Sequence, residues 1–154
     1  MCDVLREIYQ EIYDAKFDFN NFDDRKKMQK AIYLLENMGV YVGDYSFSWD
    51  KYGPYSIGLD CDAQRICKGE NLNVGFSEFA KNRFAELRGY IKEQDAYNCV
   101  DWMECIASLH YLKEVLKIND ENLIPELVNR KNYLNNNISN KKALAIVEKI
   151  RNIE

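Results

Sequence analysis

The chain has 154 residues, a net charge of −4, and 47% hydrophobic against 30% charged residues. That balance belongs to a globular domain with a single core, and a net negative chain is poorly suited to general nucleic-acid binding. Two prolines and seven glycines are too few for a many-turned all-β fold and favour long helices.

No apolar run approaches the length of a membrane span. Met1–Glu7 already carries charges at helical spacing, so no targeting segment is expected. The five cysteines are odd in number and contain no CxxC. Cys61 and Cys67 are six residues apart, as are Cys99 and Cys105. On a helix that spacing separates the Cα atoms by about 9 Å, too far for a disulfide. Reduced thiols in a cytoplasmic protein are the expectation.

In chain order, Leu5, Ile8, Tyr9, Ile12 and Tyr13 predict a first amphipathic helix over 3–14. A polar and aromatic connector follows. Its Asp18, Asn20 and Asp23 resemble calcium-loop ligands only faintly, because Phe22 occupies an oxygen-ligand position and the loop glycine is missing. A second helix starts at an Asn21 or Asp23 cap and stops at Gly39. Met28, Ala31, Ile32, Leu35 and Met38 form its buried stripe. Arg25, Lys26, Lys27 and Lys30 form a basic face, expected to be solvated.

Tyr45–Ser56 has the most distinctive composition. Tyr45, Phe47 and Trp49 alternate with serines, the period of a half-buried strand. Gly53-Pro54 marks a turn, and Pro54 is expected in the first turn of a helix running to about Cys67. Leu72, Val74 and Phe76 alternate briefly and are expected to pair with the strand at Tyr45–Trp49.

Four helices complete the chain. Ser77 caps a helix over 78–94. The most apolar helix covers 99–117, with Trp102, Cys105, Leu109, Leu112 and Leu116 on one face and Met103, Ile106 and His110 flanking it. Two apolar faces place it centrally in a bundle. Leu123, Leu127, Val128 and Leu134 predict the next, with Pro125 tolerated in its first turn. Ser139 or Asn140 caps the last, which buries Ala143, Leu144, Val147 and Ile150. The expected architecture is mainly α: one helical domain, 1–154, of six or seven helices with a small two-stranded β element.

Chemistry-bearing motifs are scarce. His110 is the sole histidine, so a zinc site lacks its usual ligands, and no metal or cofactor is expected. Glu104 or Glu114 would be its partner in any acid–base role, against the plainer reading of a hydrogen-bonded histidine at the core edge. Phosphate-loop, dinucleotide, zinc-protease and nucleophile-elbow patterns are absent. Phe47, Trp49, Tyr52 and Tyr55 have the ring chemistry of a base-stacking platform, with Lys51 the only close cation. Packing at a turn is the alternative.

Two blocks carry a resemblance. The run 25–35, followed by Tyr45-x-Phe47-x-Trp49-x-x-Tyr52-Gly53-Pro54-Tyr55-Ser56, resembles the YwgA-like family. Met103–Leu112 resembles that family's second recurrent block, and the final helices, with Lys131 and Ala143, follow its layout over roughly 20–150. More distantly the chain is similar to the Panacea or SocA-type antitoxin domain. The resemblance implies a compact, mostly helical domain that acts by binding a protein, and it supplies no catalytic residues.

The resulting expectation is a non-enzymatic, cytoplasmic interaction module in an antitoxin-like, phage-defence or regulatory setting, with a protein partner and no membrane. Trp49, Lys51, Tyr52, Tyr55, Ser56 and His110 are its candidate binding residues. The alternative is a winged-helix-like DNA-binding regulator using the basic face of the second helix with Arg130, Lys131, Lys141 and Lys142. Homo-oligomerisation stays open.

Overall fold

The computed structural model describes residues 2–65 and 75–150. Seven helices and one two-stranded sheet occur among them, so the protein is mainly α. The order is α1 (Cys2–Tyr13), α2 (Phe22–Asn37), β1 (Ser48–Asp50), β2 (Gly53–Tyr55), α3 (Ile57–Arg65), α4 (Glu78–Lys92), α5 (Cys99–Glu114), α6 (Asp120–Arg130) and α7 (Asn137–Lys149). None of these helices is long and apolar enough to cross a membrane.

Helix α5 is the axis of the fold. Every residue from Trp102 to Leu112 is buried, and the helix packs against α2, α4, α6, α7 and β2. Both predicted apolar faces are therefore used, as a central helix requires. Asn98 caps it, its side chain accepting from Asp101 N at 2.9 Å. The Trp102 indole donates to the Tyr90 carbonyl of α4 at 2.9 Å. Helix α1 lies outside this set, against α2, α3 and α4, through Leu5, Ile8, Tyr9 and Ile12.

Asn21 caps α2 by accepting from Asp24 N at 3.1 Å, with Asp23 and Asp24 complementing the dipole. Asn136, rather than Ser139 or Asn140, caps α7. The two expected caps are instead buried inside it. Helix α6 begins at Asp120, so Pro125 falls in its interior and not in its first turn. The helix forgoes one backbone bond there. Leu134 lies beyond the end of α6 yet is fully buried.

The sheet differs most from expectation. Tyr45, Phe47 and Trp49 do alternate in burial with exposed neighbours, but only Ser48–Asp50 forms a strand. Its partner is Gly53–Tyr55, paired antiparallel as Ser48 with Tyr55, Trp49 with Pro54 and Asp50 with Gly53. Leu72 and Val74, the expected partners, lie outside the described residues, and Phe76 is not in a strand. Pro54 is thus a strand residue, and α3 starts only after it, at Ile57. A two-residue turn closes the hairpin locally, which costs far less chain entropy than a long loop.

Candidate functional site

The hairpin is built into the bundle by three polar attachments. The Gln29 side chain of α2 meets the backbone of Ser56 twice: Nε2 donates to the carbonyl, and Ser56 N–H donates to Oε1, each at 2.9 Å. Lys30 Nζ donates to the Pro54 carbonyl at 2.8 Å. Lys131, at the end of α6, donates to the Lys51 carbonyl. Gly53 is the geometric hinge: its φ is +92°, and a Cβ there would meet Ser108 Oγ of α5 at 2.5 Å. Both facts demand glycine.

Beneath the hairpin lies a buried ionic group. Glu104 Oε2 sits 3.3 Å from Lys131 Nζ and accepts a hydrogen bond from the Tyr133 hydroxyl. Glu104 is fully buried, and Lys131 nearly so. Glu104 Oε1 and Ser108 Oγ, one helical turn apart, have no hydrogen-bond partner among the described residues. Burial pushes the Lys131 amine down, and Glu104 opposes that shift.

Between the hairpin and α2 a cavity of about 360 Å³ opens. Phe22, Arg25, Lys26, Gln29 and Lys30 supply one wall, and their spacing puts all five on one helix face. Asp50, Lys51, Tyr52 and Tyr55 come from the hairpin, and Asp60 from α3. Four cations therefore face two carboxylates. Arg25 and Asp60 neutralise each other in a bidentate pair at 2.6 and 3.3 Å, and the Tyr55 hydroxyl donates to the same carboxylate at 3.2 Å. Lys26 Nζ lies 4.4 Å from the Tyr52 ring centre and 5.2 Å from that of Phe22, and the two rings meet edge to face at 5.3 Å. Lys30 lines the floor. Burial lowers its amine to about 7, with Lys131 and Lys26 adding to the shift while Glu104 and Asp50 oppose it.

Compared with family models, with curated proteins and with solved structures, the chain matches none. The site therefore stands on its geometry.

That geometry divides the residues singled out in the sequence. Lys51, Tyr52 and Tyr55 line the cavity together. Ser56 does not: it is buried, and its Oγ caps α3 by accepting from Leu59 N at 3.2 Å. Trp49 turns away, packing on Tyr111 at 5.7 Å, with Arg130 and Lys131 over its ring. Phe47 packs on Tyr33 at 5.2 Å. The four rings thus form no common stacking platform: Trp49 pairs with Pro54 and Tyr55 with Ser48, so the Trp49 and Tyr55 rings leave opposite faces of the hairpin.

His110 also lies apart from the cavity. It is buried, with Nδ1 2.7 Å from the Tyr33 hydroxyl, and burial lowers it to about 4. Neutral imidazole accepting from Tyr33 fits this environment. Glu104 faces Lys131 instead of His110, and Glu114 is exposed. Among the described residues no group of three or more His, Cys, Asp or Glu is placed to hold a metal.

Two basic faces need correction as well. Lys30 and Lys131, assigned to solvated or phosphate-contacting faces, are both buried. A signal for Lys30 existed: every residue from Met28 to Leu35 is buried, and Ala31–Leu35 is apolar on all sides. A lysine inside such a turn is not on a wet face. Glu104, between Met103 and Cys105 in a helix with two apolar faces, carried the same kind of signal, whereas Lys131 and Tyr133 carry none, because they meet Glu104 across a long stretch of chain.

Proposed function

We propose that the protein is a non-enzymatic, cytoplasmic interaction module, and that the α2–hairpin cavity receives a protein partner through an acidic segment. One observation carries this reading. Lys26, Lys30 and Lys51 gather around a cavity walled by Phe22, Tyr52 and Tyr55, where only Asp50 among the lining carboxylates lacks an ion pair. Aromatic walls with a surplus of cations favour an acidic, partly apolar ligand. Phe22, in the cavity lining, is 50% exposed, which offers apolar surface a partner would cover. The resemblance of the Tyr52–Ser56 block to the YwgA-like family, and more distantly to antitoxin domains, supports a regulatory, phage-defence or antitoxin-like setting.

Affinity purification of the tagged protein from its native host, with mass spectrometry, tests this. The wild type is expected to retain a specific protein that the Tyr52→Ala/Tyr55→Ala variant loses. The interaction is then rebuilt from purified components and measured by calorimetry. A partner held equally by the variant, or no partner at all, removes the cavity from the binding reading.

A further inference from the structure

Lys30 occupies an electrostatically unfavourable position. Its side chain is 2% exposed, and the Pro54 carbonyl is its only acceptor among the described residues. Among the described residues no carboxylate lies within ion-pairing distance of it. Of those nearby, Glu104 is committed to Lys131 and Tyr133 and Asp60 to Arg25 and Tyr55, while Asp50 on the hairpin, shared with Lys26 and Lys51 in the same lining, only partly offsets the charge. The buried group therefore holds two amines, Lys30 and Lys131, against one carboxylate, Glu104. A buried cation persists only with a counter-charge or by shedding its proton.

We propose that Lys30 anchors a carboxylate subsite on the cavity floor, filled by one Asp or Glu side chain of the protein partner. This rests on the binding reading above and adds the chemistry that the floor recognises. The stoichiometry favours a carboxylate over a phosphate. At the floor a single buried amine is to be matched by one negative charge, while Lys26 and Lys51 lie nearer the opening and Asp50 in the same lining opposes a dianion. Lys26, close to the rings of Tyr52 and Phe22, supplies a second cation on the way in.

The subsite has two states. Empty, the Lys30 amine loses its proton readily, because the groups facing it only partly hold the charge. Asp50 on the hairpin and Glu104 on α5 favour the charge, whereas Lys26 on α2, Lys51 on the hairpin and Lys131 after α6 oppose it. Filled, the carboxylate supplies the missing counter-charge and the amine stays protonated. Binding is therefore coupled to proton uptake near neutral pH.

The test uses the full-length protein carrying ¹³C,¹⁵N-labelled lysine, with the Lys30 side-chain resonance assigned by its loss in Lys30→Met. The probes are a capped tetraglutamate peptide, its glutamine counterpart and inorganic phosphate. The tetraglutamate peptide is expected to raise the Lys30 midpoint by a unit or more. Its affinity is expected to fall about tenfold between about pH 6.5 and about pH 8.5. Lys30→Met is expected to bind it about tenfold more weakly, with that pH dependence gone. An unmoved Lys30 resonance under saturating peptide overturns the subsite. So does a response to the glutamine peptide equal to that for glutamate. Phosphate alone moving Lys30 overturns the carboxylate assignment. The native-host capture is scored separately. A Tyr52-dependent partner with an unresponsive Lys30 sinks only the subsite, whereas a responsive Lys30 without any such partner sinks only the partner reading.

Discussion

Glu104→Gln removes one charge from the interior while keeping the shape of the side chain. Glu104 is fully buried and Lys131 is 3% exposed, so the pair has little solvent to fall back on. Breaking a buried pair by removing one partner costs about 3–5 kcal/mol. A second route gives the same scale. The stranded Lys131 amine, ordinarily titrating at 10.5, sheds its proton at neutral pH for about 1.4 kcal/mol per unit, or about 5 kcal/mol as a ceiling. Urea unfolding with a slope of about 2 kcal/mol per molar then moves the midpoint by about 2 M. The double variant Glu104→Gln/Lys131→Met removes both charges and is expected to regain at least about 2 kcal/mol of the loss. The deficit of the single variant also shrinks as pH rises from about 7 to about 9, because the folded state then has fewer protons to lose than the unfolded one. A loss below about 1 kcal/mol, or a double variant no better than the single, refutes a desolvated pair at this position.

Gly53→Ala is expected to destabilise by about 2–4 kcal/mol, from the left-handed backbone and the 2.5 Å approach to Ser108 Oγ together. Adding Ser108→Ala relieves only the contact part, as denaturant titration of both variants will show. Lys30 gives the wild type a basic-side rise in stability. Its amine titrates at about 7 in the folded protein and 10.5 unfolded, so the unfolded chain binds more protons in between and stability climbs across that window. Lys30→Met is expected to flatten this climb in unfolding curves taken every pH unit. Above about pH 10 the trend reverses, because burial raises Tyr9, Tyr13 and Tyr33 and the unfolded chain ionises first. His110 acts on the acid side. It takes its proton at 6.5 when unfolded but at about 4 when folded, so stability falls by about 3 kcal/mol as pH drops through that interval. Persistence of the same acid-side slope in His110→Gln, after correction for its altered baseline, would falsify the assignment to this ring.

How much of this was legible in the sequence depended on the range of the interaction. Helix α2 could be read because its stripe, its Asn21 cap and its Gly39 stop all lie within a few residues of one another. Helix α5 could be read as central because Trp102, Ile106, Leu109 and His110 leave no polar face. The hairpin was half legible. The aromatic alternation was right, but alternation names no partner strand, and Pro54 suits an edge strand as well as a helix start. The decisive residue was Ser56, whose hydroxyl caps α3 and sets its start at Ile57. The floor of the cavity was legible only in the burial of Lys30 beside the apolar run Ala31–Leu35, not in what it faces. Lys30, Glu104 and Lys131 meet across more than seventy residues of chain, and periodicity describes one element at a time.

The bond from Lys131 to the Lys51 carbonyl spans 80 positions, and that separation has a meaning during synthesis. A ribosome adding roughly 5–20 residues each second delivers the hairpin about 4–16 s before the lysine that ties it down. Glu104 is added part-way through that interval, and Lys131 and Tyr133 only at its end. The proposed floor subsite is therefore complete only once α5 and the end of α6 are in place. A chain stopped before Lys131 carries every residue of the aromatic rim and of the Tyr52-Gly53-Pro54 turn yet lacks the amine that donates to the Lys51 carbonyl.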